Sequence, residues 1–547
     1  MEHELKQLIY GKDDTQRIVS VENKDDKLLL FLEDVDGKVY TKEQEAKFWV
    51  LTTESVSSKQ TELSGNQPYK YLATFPTKKE SDKVVQTLKR EKLDYYRIYD
   101  QKEQSLIYNG MTYFKGMQPH EISTLSFDIE TTGLVFEGNH ILIITNTFRN
   151  INGTIRKTFS LDDYDGNEYD MIRDWIRWVR EKNPSILLGH NILSFDIPFI
   201  QYRCRDMKLK LALGRDGSAV QYDPWESSKR VDGTLTIEYT NCHIFGREVV
   251  DTMFLSITYD ALKKFPSYGL KAIIRYLGLE KTDRTFVEAG RIGRYYEDHL
   301  NGNSSNWNLS KAYAEDDSDD ALKLFDEFIP AYFYFTQSVS KSFQGMINSA
   351  TGSQINNMMV RSYLQMGHSI AKTTEFTEKV KGGISFAVPN IYSNLYKIDI
   401  KSCYPSQILR FKLFDKDKDP MEHFYKIVHF FTYQRFDYKK KFQETGDKLY
   451  KALDAAAKIV INSAYGCTIT RGLNYNCPHI GAKITAESRA IIDMALKWAS
   501  GEDSKYWFKL FREKCGKDAE AEDEIDSGGE PNNISHDCGN RSLPSVA

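Results

Sequence analysis

Cysteine is sparse in this chain, and its pattern speaks against a disulfide scaffold. The 547 residues contain 7 cysteines, an odd number, and no two of them form a C-x-x-C pair. Small disulfide-stabilised domains instead carry an even set of cysteines at short, regular spacings. We therefore expect free thiols in a protein that works in a reducing cytoplasm.

Long apolar runs are also missing. The apolar run at residues 141–144 is typical, and it is far shorter than the roughly 20 residues that a membrane-spanning helix needs. The chain starts with the charged sequence Met1-Glu2-His3-Glu4 rather than with the apolar stretch of a signal peptide. We expect neither export nor membrane insertion.

An excess of positive charge, which nucleic-acid-binding proteins usually carry, is absent overall. The net charge is -4, but residues 501–547 alone contain 6 Lys/Arg and 11 Asp/Glu. The first 500 residues are therefore close to neutral. A near-neutral body can still present a local basic channel, so the composition does not exclude a nucleic-acid partner.

The hydrophobic pattern predicts a multidomain α/β chain, and its length suggests three or four domains. From Ser123 the sequence predicts strands at 124–130, 141–148 and 154–160, a helix at 169–182 and a strand at 185–189. This order is typical of a ribonuclease-H-like nuclease core. Before it, residues 1–116 predict a small α/β domain with a helix near 81–92, and after it the sequence is largely helical.

Two carboxylates alternate on the first predicted strand of this core. Asp128 and Glu130 are separated by one residue, so both project to one side of the strand, whereas Phe127 and Ile129 point into the core. Such a pair can hold a hard divalent cation. The same pattern is also common at the solvated end of an ordinary strand, so other segments have to decide between the two readings.

Two further segments add polar side chains in order along the chain. The sequence Gly189-His190-Asn191-Ile192-Leu193-Ser194-Phe195-Asp196 follows a buried-looking strand. Tyr313 and Asp317 are one helical turn apart and share a face. An acidic helix face is the alternative reading of the last segment, and we expect Asp316, Asp319 and Asp320 to form only such a face.

Together the three segments read D-x-E, N-x-x-x-F-D and Y-x-x-x-D, which resembles the exonuclease motifs of family B DNA polymerases. The resemblance implies hydrolysis of the 3′-terminal phosphodiester of single-stranded DNA. Four carboxylates can bind two Mg²⁺ or Mn²⁺ ions about 4 Å apart. The expected metal ligands are Asp128, Glu130, Asp196 and Asp317, with Tyr313 orienting the attacking water and Asn191 and Phe195 as lesser contacts to the DNA strand.

A second group of motifs resembles the polymerase site of the same family. Residues 399–406, Asp-Ile-Lys-Ser-Cys-Tyr-Pro-Ser, resemble motif A, D-x-x-S-L-Y-P-S, with Cys403 at the leucine position. The match implies that Asp399 is a catalytic metal ligand and that the Tyr404 ring lies under the incoming sugar. A strand-end carboxylate and a core aromatic are the alternative readings of these two residues.

Residues 458–466, Lys-Ile-Val-Ile-Asn-Ser-Ala-Tyr-Gly, resemble motif B, K-x-x-x-N-S-x-Y-G, at every named position. On a helix, Lys458, Asn462 and Tyr465 form one stripe that can face a nucleotide. Upstream, Arg435 and Lys439 are one turn apart and resemble the basic fingers helix that neutralises a triphosphate. A solvated basic face is the alternative reading of that pair.

Two weaker fragments accompany these motifs. Val380-Lys381-Gly382-Gly383 resembles Y-x-G-G with valine in place of tyrosine, which implies a DNA contact for Gly382 and Gly383 but leaves the shuttling of primer ends in doubt. Residues 485–489, Thr-Ala-Glu-Ser-Arg, resemble T-x-x-G-R with serine in place of glycine. The short spacing between motifs A and B indicates a DNA-primed enzyme. Its details look most like T-even-type bacteriophage polymerases, which implies a host cytoplasm for a phage-encoded chain.

The third polymerase motif, Y-G-D-T-D-S, has no counterpart in the sequence. The nearest string, residues 523–527, lacks the preceding apolar strand and the Tyr-Gly pair. A single motif A carboxylate cannot hold two metal ions, so we expect that this chain alone does not extend a primer. A second polypeptide carrying the missing hairpin and thumb, or simply a truncated product, would explain the pattern equally well.

The expected fold is therefore an α/β multidomain chain with a ribonuclease-H-like exonuclease domain, a partial palm and helical fingers. The expected partners are primer-template DNA, single-stranded 3′ ends, dNTPs, a second polymerase polypeptide, a sliding clamp and a single-strand-binding protein. A stand-alone single-strand exonuclease and a catalytically silent DNA-binding fragment are the alternatives. The expected divisions are 1–116, 117–335 (exonuclease), 336–412 (linker and motif A), 413–466 (fingers), 467–500 (palm) and 501–547 (a disordered acidic tail).

Overall fold

A computed structural model describes residues 2–56, 60–231, 235–260, 263–383, 391, 393 and 400–515. The first region combines short sheets with three helices. The sequence predicts a small α/β domain here with one helix near 81–92, which corresponds to the helix Lys78–Glu91. Strands β1–β3 form one antiparallel sheet, and the other strands form a second sheet in the order β5-β6-β4-β7. Its elements are α1 (Glu2–Tyr10), β1 (Ile18–Lys24), β2 (Lys27–Glu33), β3 (Val39–Glu45), β4 (Phe48–Thr52), β5 (Gln60–Glu62), β6 (Tyr71–Phe75), α2 (Lys78–Glu91), β7 (Tyr95–Tyr96) and α3 (Gln101–Asn109).

The second region is an α/β unit built on a five-stranded sheet with the order β10-β9-β8-β11-β16. β8 pairs antiparallel with β9 and parallel with β11, so it lies in the centre of the sheet. The predicted strands and helix of this core are confirmed. Its elements are β8 (Thr124–Thr131), β9 (Ile141–Asn150), β10 (Gly153–Ser160), α4 (Glu168–Lys182), β11 (Ile186–Gly189), α5 (Asp196–Asp206), β12 (Gln221–Tyr222), β13 (Ser227–Arg230), β14 (Thr236–Tyr239), β15 (Cys242–His243), β16 (Glu248–Asp251), α6 (Thr252–Tyr259), α7 (Leu270–Tyr276), α8 (Ile292–Leu300) and α9 (Ser305–Thr336).

The first two regions are joined through a buried carboxylate. Glu33, at the end of β2, is fully buried. Its oxygens accept hydrogen bonds from the Ser123 backbone N–H at 2.8 Å, the Ser123 hydroxyl at 2.9 Å and the Ser185 hydroxyl at 2.6 Å. Ser123 and Ser185 directly precede β8 and β11, so this network fixes the start of both central strands.

The remaining region is helical. α14 packs against α13, α9 and α11. Val460 and Ile461, on its apolar face, are fully buried. Arg361 of α11 is buried as well and donates to the carbonyls of Leu8 and Ile9 at 2.8 Å, which ties the C-terminal end of α1 to this region. The helices are α10 (Phe343–Asn348), α11 (Gly352–Gln365), α12 (Cys403–Phe411), α13 (His423–Thr445), α14 (Lys448–Ile469), α15 (Pro478–Ser500) and α16 (Ser504–Cys515).

The predicted tail differs from the structure over its first residues. We expected disorder from Gly501 onward, but α16 covers Ser504–Cys515. Trp507 explains the difference, because its ring is largely buried and its indole N–H donates to the Ser500 hydroxyl at 3.1 Å. The acidic residues that follow, and the strand predicted before Asp399, lie outside the described residues. Within the described part of the chain, no helix is long and apolar enough to cross a membrane.

Candidate active site

The alternation predicted for the central strand is present. Phe127 and Ile129 of β8 lie in the apolar core, whereas Asp128 and Glu130 are only partly covered and face the other side. A bulge interrupts the pairing of β8 with β9 just after Glu130, where Thr131 pairs with Ile141. Bulges of this kind are frequent beside active sites because they re-aim the side chains next to them.

Helix α9 brings a third carboxylate over this strand. It is held against the sheet by the Ser126 hydroxyl, which donates to the Ser318 carbonyl at 2.7 Å, and by the Thr145 hydroxyl, which donates to the Ala314 carbonyl at 2.9 Å. Asp317 therefore lies opposite β8. The carboxylate oxygens of Asp128, Glu130 and Asp317 are all within 4.8 Å of one another, which suits a shared divalent cation.

The loop after β11 positions the fourth predicted carboxylate. Asn191 has a φ of 70°, a left-handed conformation that asparagine adopts more readily than most residues and that turns the chain sharply. The buried carboxylate of Asp251 accepts the N–H groups of Asn191 and Leu193 at 3.0 and 3.1 Å. Helix α5 then begins at Asp196, whose Oδ1 accepts the N–H of Ile129 in β8 at 3.1 Å. Asp196 is thus bonded to the strand that carries Asp128.

Burial raises the pKa of every carboxyl group in this cluster, and repulsion from neighbouring cluster carboxylates adds to the effect at Asp128 and Glu130. Desolvation is the main cause of the raised pKa of Asp128, followed by the charges of Asp196, Asp317 and Glu130. Burial likewise raises the pKa of Glu130, Asp196 and Asp317. Four carboxylates in one low-dielectric site cannot all be ionised without positive charge between them. The donor set therefore fits divalent metal ions.

Two cationic side chains that lie outside the sequence motifs reach the same site. The ammonium of Lys271, in α7, lies 3.3 Å from Asp317 Oδ2, donates to the Tyr313 hydroxyl and lies 4.1 Å from the centre of the Tyr313 ring. Arg284 donates to Asp317 Oδ1, and its Nε donates to Asp320 Oδ2 at 2.8 Å. Neither residue lies in one of the three exonuclease-like motifs. The sequence indicates only that four carboxylates in one site need positively charged partners, and it does not show which residues supply them.

The acidic face expected on α9 is not simply solvated. Asp316 and Asp320 are buried. Asp320 binds Arg284, and Asp316 accepts the backbone N–H of Thr285 at 2.8 Å. The prediction that these side chains form only a surface face was therefore wrong for both residues. Packing of the 281–288 segment over α9 covers them, and this contact between distant segments leaves no periodic signal in the sequence.

The two residues predicted to contact the DNA strand lie at the edge of the site. Phe195, directly before Asp196, is half-buried, and its ring centroid lies 5.6 Å from that of Phe199 and 6.3 Å from that of Phe136. Asn191 is also half-buried. The backbone turn and the aromatic cluster give both residues a structural role whether or not they touch DNA.

The residues predicted to bind a nucleotide form a second group. Asp399 lies outside the described residues. Lys458 and Asn462 are exposed on one face of α14, and Tyr465, half-buried one turn on, has its ring centroid 4.8 Å from that of Tyr404. The structure thus brings the described parts of the two polymerase-like motifs together.

Of the two basic residues that resemble the fingers helix, Arg435 already has hydrogen-bond partners within the protein. Arg435 of α13 donates to Asp454 at 3.0 Å and to the Ser402 hydroxyl at 2.7 Å. Lys439, one turn further along α13, is half-buried. Arg435 therefore connects α13 to α14 and to the motif A segment.

The two weak fragments meet in the structure. The Thr485 hydroxyl donates to the Lys381 carbonyl at 2.6 Å, and Arg489 donates to the carbonyls of Lys381 and Gly382. A Cβ at Gly383 would lie 3.0 Å from the Tyr404 hydroxyl, so this position leaves little room for a side chain. The fragments are thus joined beside the tyrosine of motif A.

Comparisons with known proteins find similarity to DNA polymerases. Residues 77–273 match the model of the DNA polymerase family B exonuclease domain. This match includes Asp128, Glu130 and Asp196 and ends before Tyr313. A DNA polymerase of Thermococcus sp. (strain 9oN-7) is 24% identical over 72% of this chain and 53% of its own length, and one of Pyrococcus glycovorans is 22% identical over 72% and 53%.

The fold has a close counterpart among solved structures. The family B DNA polymerase of the archaeon Pyrobaculum calidifontis aligns with a TM-score of 0.68 over 88% of this chain and 71% of that chain, at 16% identity. The chain is thus similar to family B DNA polymerases, and residues 77–273 are similar to the exonuclease domain of that family. It spans about half the length of the curated relatives it matches. The resemblance to T-even phage enzymes stays a prediction.

Proposed function

We propose that the chain is a 3′→5′ exonuclease that removes nucleotides from single-stranded DNA 3′ ends, joined to the nucleotide-binding part of a DNA polymerase. One observation carries the exonuclease proposal: oxygens of Asp128, Glu130 and Asp317 lie within 4.8 Å of one another in a fold of the matching family. Mg²⁺ or Mn²⁺ bound by these residues and Asp196 would lower the pKa of a water molecule and stabilise the leaving 3′ oxygen.

The protein's own groups have separate roles in this proposal. The carboxylates hold positive charge close to the scissile phosphate. Burial and the nearby carboxylates raise the pKa of Tyr313, so its phenol stays protonated and can orient the attacking water. Lys271 binds the same hydroxyl and can also balance charge on the phosphate. Phe195 offers an aromatic edge near the terminal base.

Polymerisation is the second part of the proposal. The exposed stripe of Lys458 and Asn462, with Tyr465 against Tyr404, supports dNTP binding between α14 and the motif A segment. The sequence has no Y-G-D-T-D-S string, so we propose that the missing carboxylate comes from a further segment, such as a second polypeptide with the thumb. A sliding clamp and a single-strand-binding protein would act with the assembled enzyme on primer-template DNA.

The test is an assay of 5′-labelled DNA with Mg²⁺, supplied both as a single strand and as the primer of a primer-template, without and with dNTPs. We expect stepwise 3′ shortening that EDTA abolishes and that Asp128→Asn reduces by about 10²–10⁴-fold, as expected for loss of a group that stabilises charge in the transition state. Asp319→Asn is the matched control: Asp319 is on α9 but pairs with Arg156 away from the cluster, so its variant should keep wild-type activity.

Each remaining outcome separates the alternatives. Shortening without extension supports the exonuclease and the need for a further polymerase segment. Extension of a primer by the chain alone would refute that need. No reaction of either kind would favour a catalytically silent DNA-binding fragment and overturn the exonuclease proposal.

A further inference from the structure

A second cluster of metal-binding side chains lies far from the carboxylate site. Asp415, Cys477 and His479 each offer a ligand atom, and these atoms lie within 4.8 Å of one another. The Cys477 Sγ is 3.2 Å from Asp415 Oδ2 and 3.2 Å from His479 Nδ1. Neighbouring donors in a tetrahedral zinc site are roughly 3.5 Å apart, given the usual Zn–S and Zn–N bond lengths. The spacing therefore suits one small cation.

The Asp415 carboxylate is already oriented for this role. Its Oδ1 accepts the backbone N–H groups of Asp417 and Lys418 at 3.0 and 3.1 Å, which leaves Oδ2 facing the Cys477 sulfur. The turn that holds it is anchored by Asp419, which accepts the N–H groups of His423 and Phe424 at 2.9 and 2.8 Å at the start of α13. A ligand fixed by hydrogen bonds of this kind binds a metal at a low ordering cost.

The other two ligands are fixed by a different segment. The Cys477 N–H donates to the Thr468 carbonyl at the end of α14, at 2.8 Å, and Cys477 caps α15, which begins at Pro478. Cys477 is buried, whereas His479 is exposed, so a cation can enter from solvent and a water molecule can fill the fourth position.

Hydrogen bonds tie the two ligand segments to each other. The Lys418 ammonium donates to the carbonyls of Asn474 and Asn476 at 3.2 and 2.8 Å and to the Asn476 side-chain oxygen at 3.2 Å. The Asn474 amide in turn donates to the Ala371 carbonyl at 3.0 Å. The donors are thus brought together by the fold itself.

We propose that Asp415, Cys477 and His479 bind one zinc-class divalent ion at the base of the α13–α14 hairpin. A sulfur and an imidazole nitrogen select Zn²⁺, or Co²⁺ in its place, over Mg²⁺, which takes oxygen ligands. Asp415 precedes α13, and the other two ligands follow α14 at the start of α15. The ion would therefore connect the two ends of the α13–α14 hairpin, which carries Lys458, and would join them to α15. This site shares no residue with the carboxylate cluster.

Cobalt titration of the full chain tests the proposal. With excess Mg²⁺ present to occupy oxygen-only sites, titration with Co²⁺ should produce a thiolate-to-cobalt charge-transfer band that saturates at one equivalent of Co²⁺. Cys477→Ala should abolish the band, and Asp415→Asn should weaken Co²⁺ binding at least about tenfold. Cys467→Ala is the matched control: Cys467 is a buried, free thiol of α14, and its loss should leave the band intact.

A further variant protects the test against misfolding. His479→Ala removes an exposed side chain, so the protein should fold while its Co²⁺ band weakens and shifts. We expect the wild-type protein to retain one equivalent of zinc after gel filtration. The three ligand variants, Asp415→Asn, Cys477→Ala and His479→Ala, should lose it. No cobalt band in the wild type, or a band that survives Cys477→Ala, would overturn the proposal. Either result would leave the exonuclease assay unaffected.

Discussion

Arg284 binds Asp317, so a guanidinium compensates the charge of one of the four clustered carboxylates. The Arg284 side chain is only 1% exposed, and it also bonds Asp320. A metal ion that binds Asp317 would therefore share this carboxylate with Arg284. This relation makes Arg284 both a stabiliser of the metal-free protein and an opponent of metal binding.

Arg284→Met separates these two effects. Without metal, the variant leaves Asp317 and Asp320 buried with less compensation, so the free energy of unfolding should fall by about 3 kcal/mol. In the exonuclease assay, the Mg²⁺ concentration for half-maximal rate should fall, because Asp317 no longer has a competing partner. Urea unfolding in EDTA and a Mg²⁺ titration measure the two quantities.

Arg156→Met is the control for this prediction. Arg156 pairs with Asp319 on the same helix, but its side chain is 56% exposed, so its loss should change stability by less than about 1 kcal/mol. The interpretation of Arg284 fails if its variant needs more Mg²⁺ than the wild type while remaining as stable.

Asp128→Asn should stabilise the protein in EDTA, although we expect it to lower the rate of the proposed exonuclease reaction. Burial and neighbouring carboxylates raise the pKa of Asp128 and Glu130 in the fold. A carboxyl group with a raised folded pKa binds more protons in the native state, so its destabilising effect grows as pH rises from the unfolded pKa through the folded one. At neutral pH the gain from the variant should be on the order of 1–3 kcal/mol.

The pH dependence checks the sign of this effect. In EDTA, the stability advantage of Asp128→Asn should be small near pH 4, where the carboxyl groups are protonated in the native state and about half protonated in the unfolded chain, and should increase toward pH 8. Mg²⁺ should reduce the advantage, because it stabilises the wild-type cluster. An advantage that is constant across this range in thermal unfolding would show that electrostatic repulsion is not its cause.

How much the sequence predicted depends on the range of the interactions. The alternation of Asp128 and Glu130 on a strand and the one-turn spacing of Tyr313 and Asp317 on a helix are local periodicities. The core elements and these carboxylates were therefore predictable from the sequence. Lys271 and Arg284 reach the site only because α7 and the 281–288 segment pack against α9. No spacing rule connects them to the motifs, and the same holds for the cluster at Cys477.

Glu33→Ala should weaken the junction between the first region and the central sheet. The variant removes the acceptor of three hydrogen bonds and leaves the buried Ser123 and Ser185 groups without it. Buried donors that lose their partner cost about 1–3 kcal/mol each, so we expect the free energy of unfolding in urea to fall by at least about 3 kcal/mol. Glu43→Ala is the control, because its carboxylate forms an exposed pair with Lys27. Equal stabilities of the two variants would contradict a structural role for Glu33.

Lys458→Ala should weaken dNTP binding by about tenfold, the effect of losing one charged contact to phosphate. Lys458 is exposed at the start of the α14 stripe and has no ion pair among the described residues, so its ammonium is available to a ligand. Titration of the full chain with a fluorescent dNTP in Mg²⁺ measures the affinity without requiring primer extension. Lys440→Ala is the control, because Lys440 is exposed on α13 but lies near Glu444. If both variants lose the same affinity, a general basic surface rather than the α14 stripe binds the triphosphate; if neither changes, the polymerase-like face does not bind dNTPs in this chain.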